Sequence, residues 1–235
     1  VKIGTGIGCG IVIDGELYRG VDGCAGDIGH IRVDEFGPTC ACGNTGCLEA
    51  FFGGAALARD ATAAAKAGRS AVLKALLDER GVLTAAEVAV AAAQGDAVAV
   101  QLVRDGGRRV GHVLASLVSF FNPGLIVIGG RVSRLGHVLL AEIRAVVYRR
   151  SLPLATGNLP LVLSELGDSA GVIGCARLIS DGVYAAEFTV PAGATGMIGF
   201  GLDLAYDSNL ITLSAPAQIG PGFTAFSGPD GDGVG

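Results

Sequence analysis

The sequence has no apolar run long and uninterrupted enough to span a bilayer, although half of its 235 residues are hydrophobic. The opening, VKIGTGIG, lacks the charged and long apolar stretches of a secretory signal. No methionine stands at position 1. The only one is Met197, and the chain opens inside a strand-like run, as an internal or C-terminal piece of a longer protein would. Basic residues are scarce: 17 Lys and Arg face 22 Asp and Glu, and none follows Arg177. A net charge of −5 argues against a nucleic-acid surface. The basic pairs Arg108-Arg109 and Arg149-Arg150 fall in helical patterns and read as solvated faces. The expectation is a soluble, cytoplasmic protein with a sizeable core and no membrane partner.

Histidine is rarer still, with three residues, and one of them lies in the densest cluster of the chain. His30, Cys40, Cys42 and Cys47 fall within 18 residues as H-x9-C-x-C-x4-C. Cys9, Cys24 and Cys175 are scattered through apolar or Gly-rich segments, which does not suggest a disulfide framework. Four ligands of this kind close a tetrahedral zinc site without an open position, so the metal is expected to be structural. Coordination needs thiolates and a neutral imidazole, so binding weakens at low pH. His112 and His137 lie in helical stretches without clustered partners. A structural metal leaves the function to its neighbours, Asp27 before the histidine and Glu49 after the last cysteine. Carboxylates held on a rigid loop accept hydrogen bonds from a small polyhydroxylated ligand such as a sugar.

Residues 1–20 read as a hairpin turning at Asp14-Gly15. Residues 20–49 read as a loop. Helices are expected at 54–67, 71–80, 85–94 after the capping box Thr84/Glu87, 97–121, 136–149 and 170–184. Buried strands are expected at 125–130 and 159–166. The alternation implies an α/β layer fold. The main fold is expected over 1–185. Residues 186–235, rich in Gly and Pro and ending in SGPDGDGVG, read as a β-prone or disordered tail.

The glycine-rich GTGIGCG fits either a phosphate cradle with the Thr5 hydroxyl or a bent hairpin. It is neither a Walker A loop nor a Rossmann turn. Gly129-Gly130 after a strand is either a simple turn or a place where a nucleotide base lies against the backbone.

Taken together, Ile3, Gly6, Ile7, Gly8, Gly10, Ile11, Gly20, Gly26, Gly29, His30 and the run CACGNTGCLE at 40–49 resemble the ROK family (repressor, open reading frame, kinase). NPGLIVIGG and GDSAGVIGC extend the likeness to about residue 185. The resemblance implies an actin-like, ribonuclease-H-like ATPase fold, of which this chain is the larger, C-terminal domain. It implies zinc on His30, Cys40, Cys42 and Cys47, and a hexose or amino sugar on Asp27, His30 and Glu49. Gly4, Thr5 and Gly6 match the family's second phosphate segment, and Gly129 and Gly130 the segment beside adenine. A homodimer or homotetramer is the family habit.

The chain departs from the family pattern in two places. The family usually has glutamate where this chain has Asp27. Its first phosphate loop and catalytic aspartate lie upstream of Val1, so this chain is expected to show no kinase activity alone. Two classes compete: a sugar-sensing transcriptional regulator, touching DNA only through an upstream domain, or a hexose kinase using ATP and Mg²⁺; a third is a sugar-binding or assembly module with neither activity. Asp27, GHIRVDEFGPTC and CLEAFFGG favour the regulator.

Overall fold

A computed structural model describes residues 1–182. The expectations for the tail, and for the last two residues of the terminal helix, lie outside the described residues.

The N-terminal segment forms two short antiparallel pairs where one hairpin was expected. β1 (Lys2–Ile3) pairs with β2 (Ile7–Gly8), and β3 (Ile11–Ile13) with β4 (Glu16–Tyr18). The first reversal is tight: the Gly4 N–H donates to the Gly6 carbonyl at 2.8 Å. The second is the expected turn, with Asp14 and Gly15 at φ +52° and +85°, the signs of a type I′ hairpin. Between the pairs, the Cys9 N–H leaves the ladder and donates to the Gly26 carbonyl at 2.8 Å. That diversion splits the hairpin in two.

The helices follow their sequence signals. α1 (Leu48–Phe52) is a short helix that apolar periodicity does not reveal. α2 spans Gly54–Lys66 and α3 Ala71–Arg80, the latter ended by Gly81 in the left-handed conformation. α4 (Ala85–Ala93) carries the Thr84/Glu87 capping box. α5 (Ala97–Phe121) is the long central helix, stopped by Asn122 at φ +45° ahead of Pro123. Buried Ser70 joins two caps. Its hydroxyl accepts the Leu73 N–H at 2.9 Å and donates to Asp96, which caps α5 through the Ala99 N–H.

β5 (Ile126–Ile128) follows, then α6 (Gly136–Arg150), the short α7 (Pro153–Thr156), β6 (Leu161–Leu163) and α8 (Ala170–Gly182). β5 and β6 are parallel, Ile126 opposite Leu161. A parallel bridge from Lys2 to Gly129 sets β1 beside β5, so the two ends of the segment share one layer. The expected mixed layering of helices and strands is present.

The core lies between this layer and α5. Ile3, Ile7, Phe52, Val110, Leu114, Ile128, Ile143 and Leu161 are all buried in it. Phe52 meets α5 at Gly106, where any β-carbon would fall inside its ring. The backbone of α5 therefore approaches α1 closely, and the Cys47–Phe52 segment is pinned to the centre of the fold. No single helix among the described residues is long and apolar enough to cross a membrane.

Gly106→Ala is expected to destabilise the chain by about 2 kcal/mol or more, in the upper part of the range for overpacked cores. Denaturant unfolding checks it against Gly124→Ala, where an added methyl meets nothing within 4 Å.

Candidate metal centre and adjoining ligand site

The four sequence-identified ligands converge. Their donor atoms all lie within 4.8 Å of one another, and this is the only such group of three or more metal-ligating side chains among the described residues. The loop that achieves this is self-braced. The Cys40 N–H donates to the Asn44 carbonyl at 2.7 Å, the Gly46 N–H to Pro38, and the Leu48 N–H to Ile31. Gly46, at φ +77°, passes against the Asp34 carbonyl where no side chain fits.

Two of the six separations match a tetrahedral ion. Zn–S bonds near 2.3 Å and Zn–N bonds near 2.05 Å, at tetrahedral angles, put two sulfurs about 3.8 Å apart and a sulfur and nitrogen about 3.6 Å apart. Cys42 and Cys47 sulfurs are 3.7 Å apart, and Cys40 sulfur lies 3.5 Å from His30 Nδ1. The two neighbouring sulfurs differ in their electrostatics. Cys47 has no exposed surface, and burial together with the neighbouring thiols pushes its pKa up to about 12. Cys42, accepting from the Asn44 backbone, is lowered to about 7. Two such sulfurs side by side are not both thiolates at neutral pH unless a cation compensates them. The residues fit a metal held in a closed, four-ligand shell, which would supply structure and no open coordination position.

The metal-facing Nδ1 turns the other ring nitrogen of His30 outward. Nε2 faces Asp27 Oδ1 at 3.9 Å, too long for a hydrogen bond but close enough for an outer carboxylate to bias ring orientation. Glu49 lies in the first turn of α1, two residues past Cys47. One carboxylate oxygen, Oε2, accepts the Ile7 N–H at 2.8 Å and lies beside Gly29. A β-carbon at Gly6 would collide with that oxygen, so the glycine lets the carboxylate keep this position. Glu49 thus has one oxygen spent on the backbone and one left.

Two cavities adjoin. One of about 360 Å³ is lined by Thr5, Gly6, Cys40, Glu49 and Arg59. The other, of about 730 Å³, is lined by Gly4, Thr5, Gly129 and Gly130 together with Arg131 and Asp168. Four of the five glycine-segment residues read from the sequence therefore share the larger cavity, and Gly6 belongs to the smaller, against Glu49. The Lys2–Gly129 bridge brings the two segments together. Gly130, at φ +89°, lies against the Ile3 carbonyl. Sequence reasoning did not single out Arg59, whose guanidinium donates to Asp60 and to the Ala50 carbonyl. It also missed Arg131. Asp168 lies in the GDSAG run already noted, the one signal that pointed to it.

The ROK family profile matches residues 1–182. A glucokinase of Halalkalibacterium halodurans is 40% identical over 180 residues, covering 76% of this chain and 54% of that protein. A putative xylose repressor of a Caldicellulosiruptor species is 36% identical over 184 residues, covering 77% and 45%. The chain thus spans about half the length of these curated relatives. Among solved structures, a ROK family glucokinase from Streptomyces griseus in complex with glucose and AMPPNP superposes with a TM-score of 0.68 at 36% identity, covering 77% of this chain and 59% of that one.

Elemental analysis of the purified chain is expected to find one zinc per molecule. Acidification should release it, because protons compete with the metal for three thiolates and one imidazole. Cys42→Ser, at an exposed ligand, should weaken zinc retention against a chelator by at least the roughly 10- to 100-fold that even outer-shell changes cost. Metal-free protein with an unchanged melting temperature is the contrary result.

Proposed function

The chain belongs to the ROK family, and from that premise we propose that it is the sugar-sensing effector domain of a transcriptional regulator, built around a structural zinc. The sugar would sit against the metal loop and hydrogen-bond to Glu49 Oε1, His30 Nε2 and Asp27. Binding would shift the population of the parent protein, a dimer or tetramer, between DNA-competent and released states.

Asp27 is the observation that carries the regulator over the kinase. Its carboxylate is one methylene shorter than the glutamate usual in the family, and it leans toward His30. A phosphoryl acceptor has to be held in a near-attack geometry, and a misplacement of about 1 Å costs roughly 100-fold in rate. A sensor needs only differential affinity between two states, so it tolerates the retraction. Residues 40–49 serve both readings, since they brace the pocket in a sensor and in an enzyme alike.

A second reading, an ATP- and Mg²⁺-dependent hexose kinase, is favoured by the larger cavity. There Gly4 and Thr5 line one cavity with Gly129 and Gly130, where the missing side chains leave room for a phosphate and a base and the Thr5 hydroxyl can donate to a phosphate.

The full-length protein separates the two. We expect saturable hexose or amino-sugar binding that alters operator affinity, with ATP turnover far below the ~1–10³ s⁻¹ typical of enzymes. Turnover at ordinary rates with any hexose defeats the regulator reading. Glu49→Gln keeps an oxygen for the Ile7 N–H, so stability should hold while sugar affinity falls about tenfold, the loss of one charge-assisted hydrogen bond. Unchanged affinity by calorimetry places the sugar elsewhere.

A further inference from the structure

The two arginine pairs that read as solvated helix faces part company in the fold. Arg108 turns to Asp105 and Glu142, beside Arg104. Arg109 turns the opposite way, stacking on the Phe51 ring at 3.8 Å with Asp34 at 4.0 Å. One turn further along α5 stands His112, and from the end of α6 Arg149 and Arg150 approach the same imidazole. Partial burial, then the guanidiniums of Arg150, Arg149 and Arg109, hold its basicity below the ordinary histidine value.

Two concavities meet here. One, of about 260 Å³, is lined by Arg32, Arg109, His112 and Ser116 over an apolar floor that includes Val113 and Leu117. The other, of about 390 Å³, is lined by Ser116, Ser119, Phe120 and Arg150. Ser116 lines both, so they lie side by side, a furrow in two parts. None of its residues lines the cavity of Gly4, Thr5, Gly129 and Gly130. Among the described residues, Arg32, Arg149 and Arg150 have no carboxylate within 4.0 Å, in a chain whose net charge is −5. Arg59, Arg104 and Arg134 each have one and Arg108 has two, while Arg19, Arg69, Arg131 and Arg144, away from the furrow, have none. Arg32 and Arg150 bring to the furrow positive charge left without a carboxylate partner.

We propose that this furrow is a second binding site, for a small molecule carrying a phosphate group. Guanidinium forks match phosphate oxygens in pairs, and are more weakly hydrated than ammonium groups, so less is lost on closing over an anion. The apolar floor accepts the body of the molecule, and the larger part, of about 390 Å³, falls in the roughly 300–1,000 Å³ range of small-ligand sites. Arg109, fixed by Phe51 and Asp34, forms one wall. Arg150 lines the second part, and Arg149 is near enough to act on His112. The site is independent of the sugar reading: it is lined from α5, the end of α6 and Arg32, and by neither Asp27 nor Glu49.

The imidazoles provide a site-specific readout. The chain has three histidines, and only His112 faces the furrow. In two-dimensional NMR of the full chain, inorganic phosphate and a hexose 6-phosphate are titrated separately. The expected result is saturable movement of the His112 ring signals with a dissociation constant below ~1 mM for at least one of them. A response to both at similar concentration identifies free phosphate as sufficient, and a response to the ester alone identifies a phosphorylated metabolite. Either supports the site. Arg149→Ala with Arg150→Ala should weaken the response at least about tenfold. Both side chains are exposed, and an unchanged melting temperature shows that the fold is kept. Arg108→Ala, on the other side of the helix, should change nothing. The proposal is overturned by no His112 movement up to about 10 mM, by movement that survives the double substitution, or by a response to polyglutamate with none to phosphate.

Discussion

Folding places the buried Cys47 sulfur 3.7 Å from Cys42 and brings Cys40 and His30 to the same point. Thiolates so close repel one another unless a cation lies between them, and the Cys42–Cys47 and Cys40–His30 separations are those of a tetrahedral shell. What depends on this is larger than the loop. Cys47 is the residue before α1, so the last ligand also sets where that helix begins. α1 carries Glu49 on its first turn and Phe52 at its end. Phe52 is locked against Gly106 of α5, and Glu49 against Ile7. A metal bound at Cys47 would thus tie the loop, the N-terminal strands and the central helix into one unit.

The same geometry explains how one scaffold serves proteins of different kinds. A glucokinase and a putative xylose repressor resemble this chain to nearly the same extent. In this chain the candidate metal loop, the glycine segments and the core form one scaffold, whose likeness to both kinds leaves the consequence of binding open. That consequence rests on small differences at the site and on whatever the parent protein attaches to it. Asp27, whose carboxylate lies 3.9 Å from His30 Nε2, stands at such a place.

Much of the architecture was legible before the fold. The capping box at Thr84/Glu87, the stop at Asn122-Pro123 and the long apolar stripe of 97–121 are local signals, and local hydrogen bonding and burial enforce them. The hairpin tip at Asp14-Gly15 was legible for the same reason. The split of the N-terminal hairpin was not, because it depends on Cys9 pairing with Gly26 across a loop of no regular pattern. α1 escaped notice because five residues are too few for a periodicity, and its stability comes from packing on α5.

The sequence by itself picked out the four candidate ligands, since donors this close in the chain can meet through one loop. It picked out the longer helices from equally local signals, periodicity and caps. Only tertiary structure decided that Glu49 spends one oxygen on Ile7, 42 residues away. Nor could the sequence alone set Gly4 and Thr5 beside Gly129 and Gly130, or turn Arg109 and Arg150 toward one imidazole. Those meetings come from strand bridging and helix packing between distant segments, where the partner of a residue is chosen by the shape of the whole core and not by its neighbours in the chain.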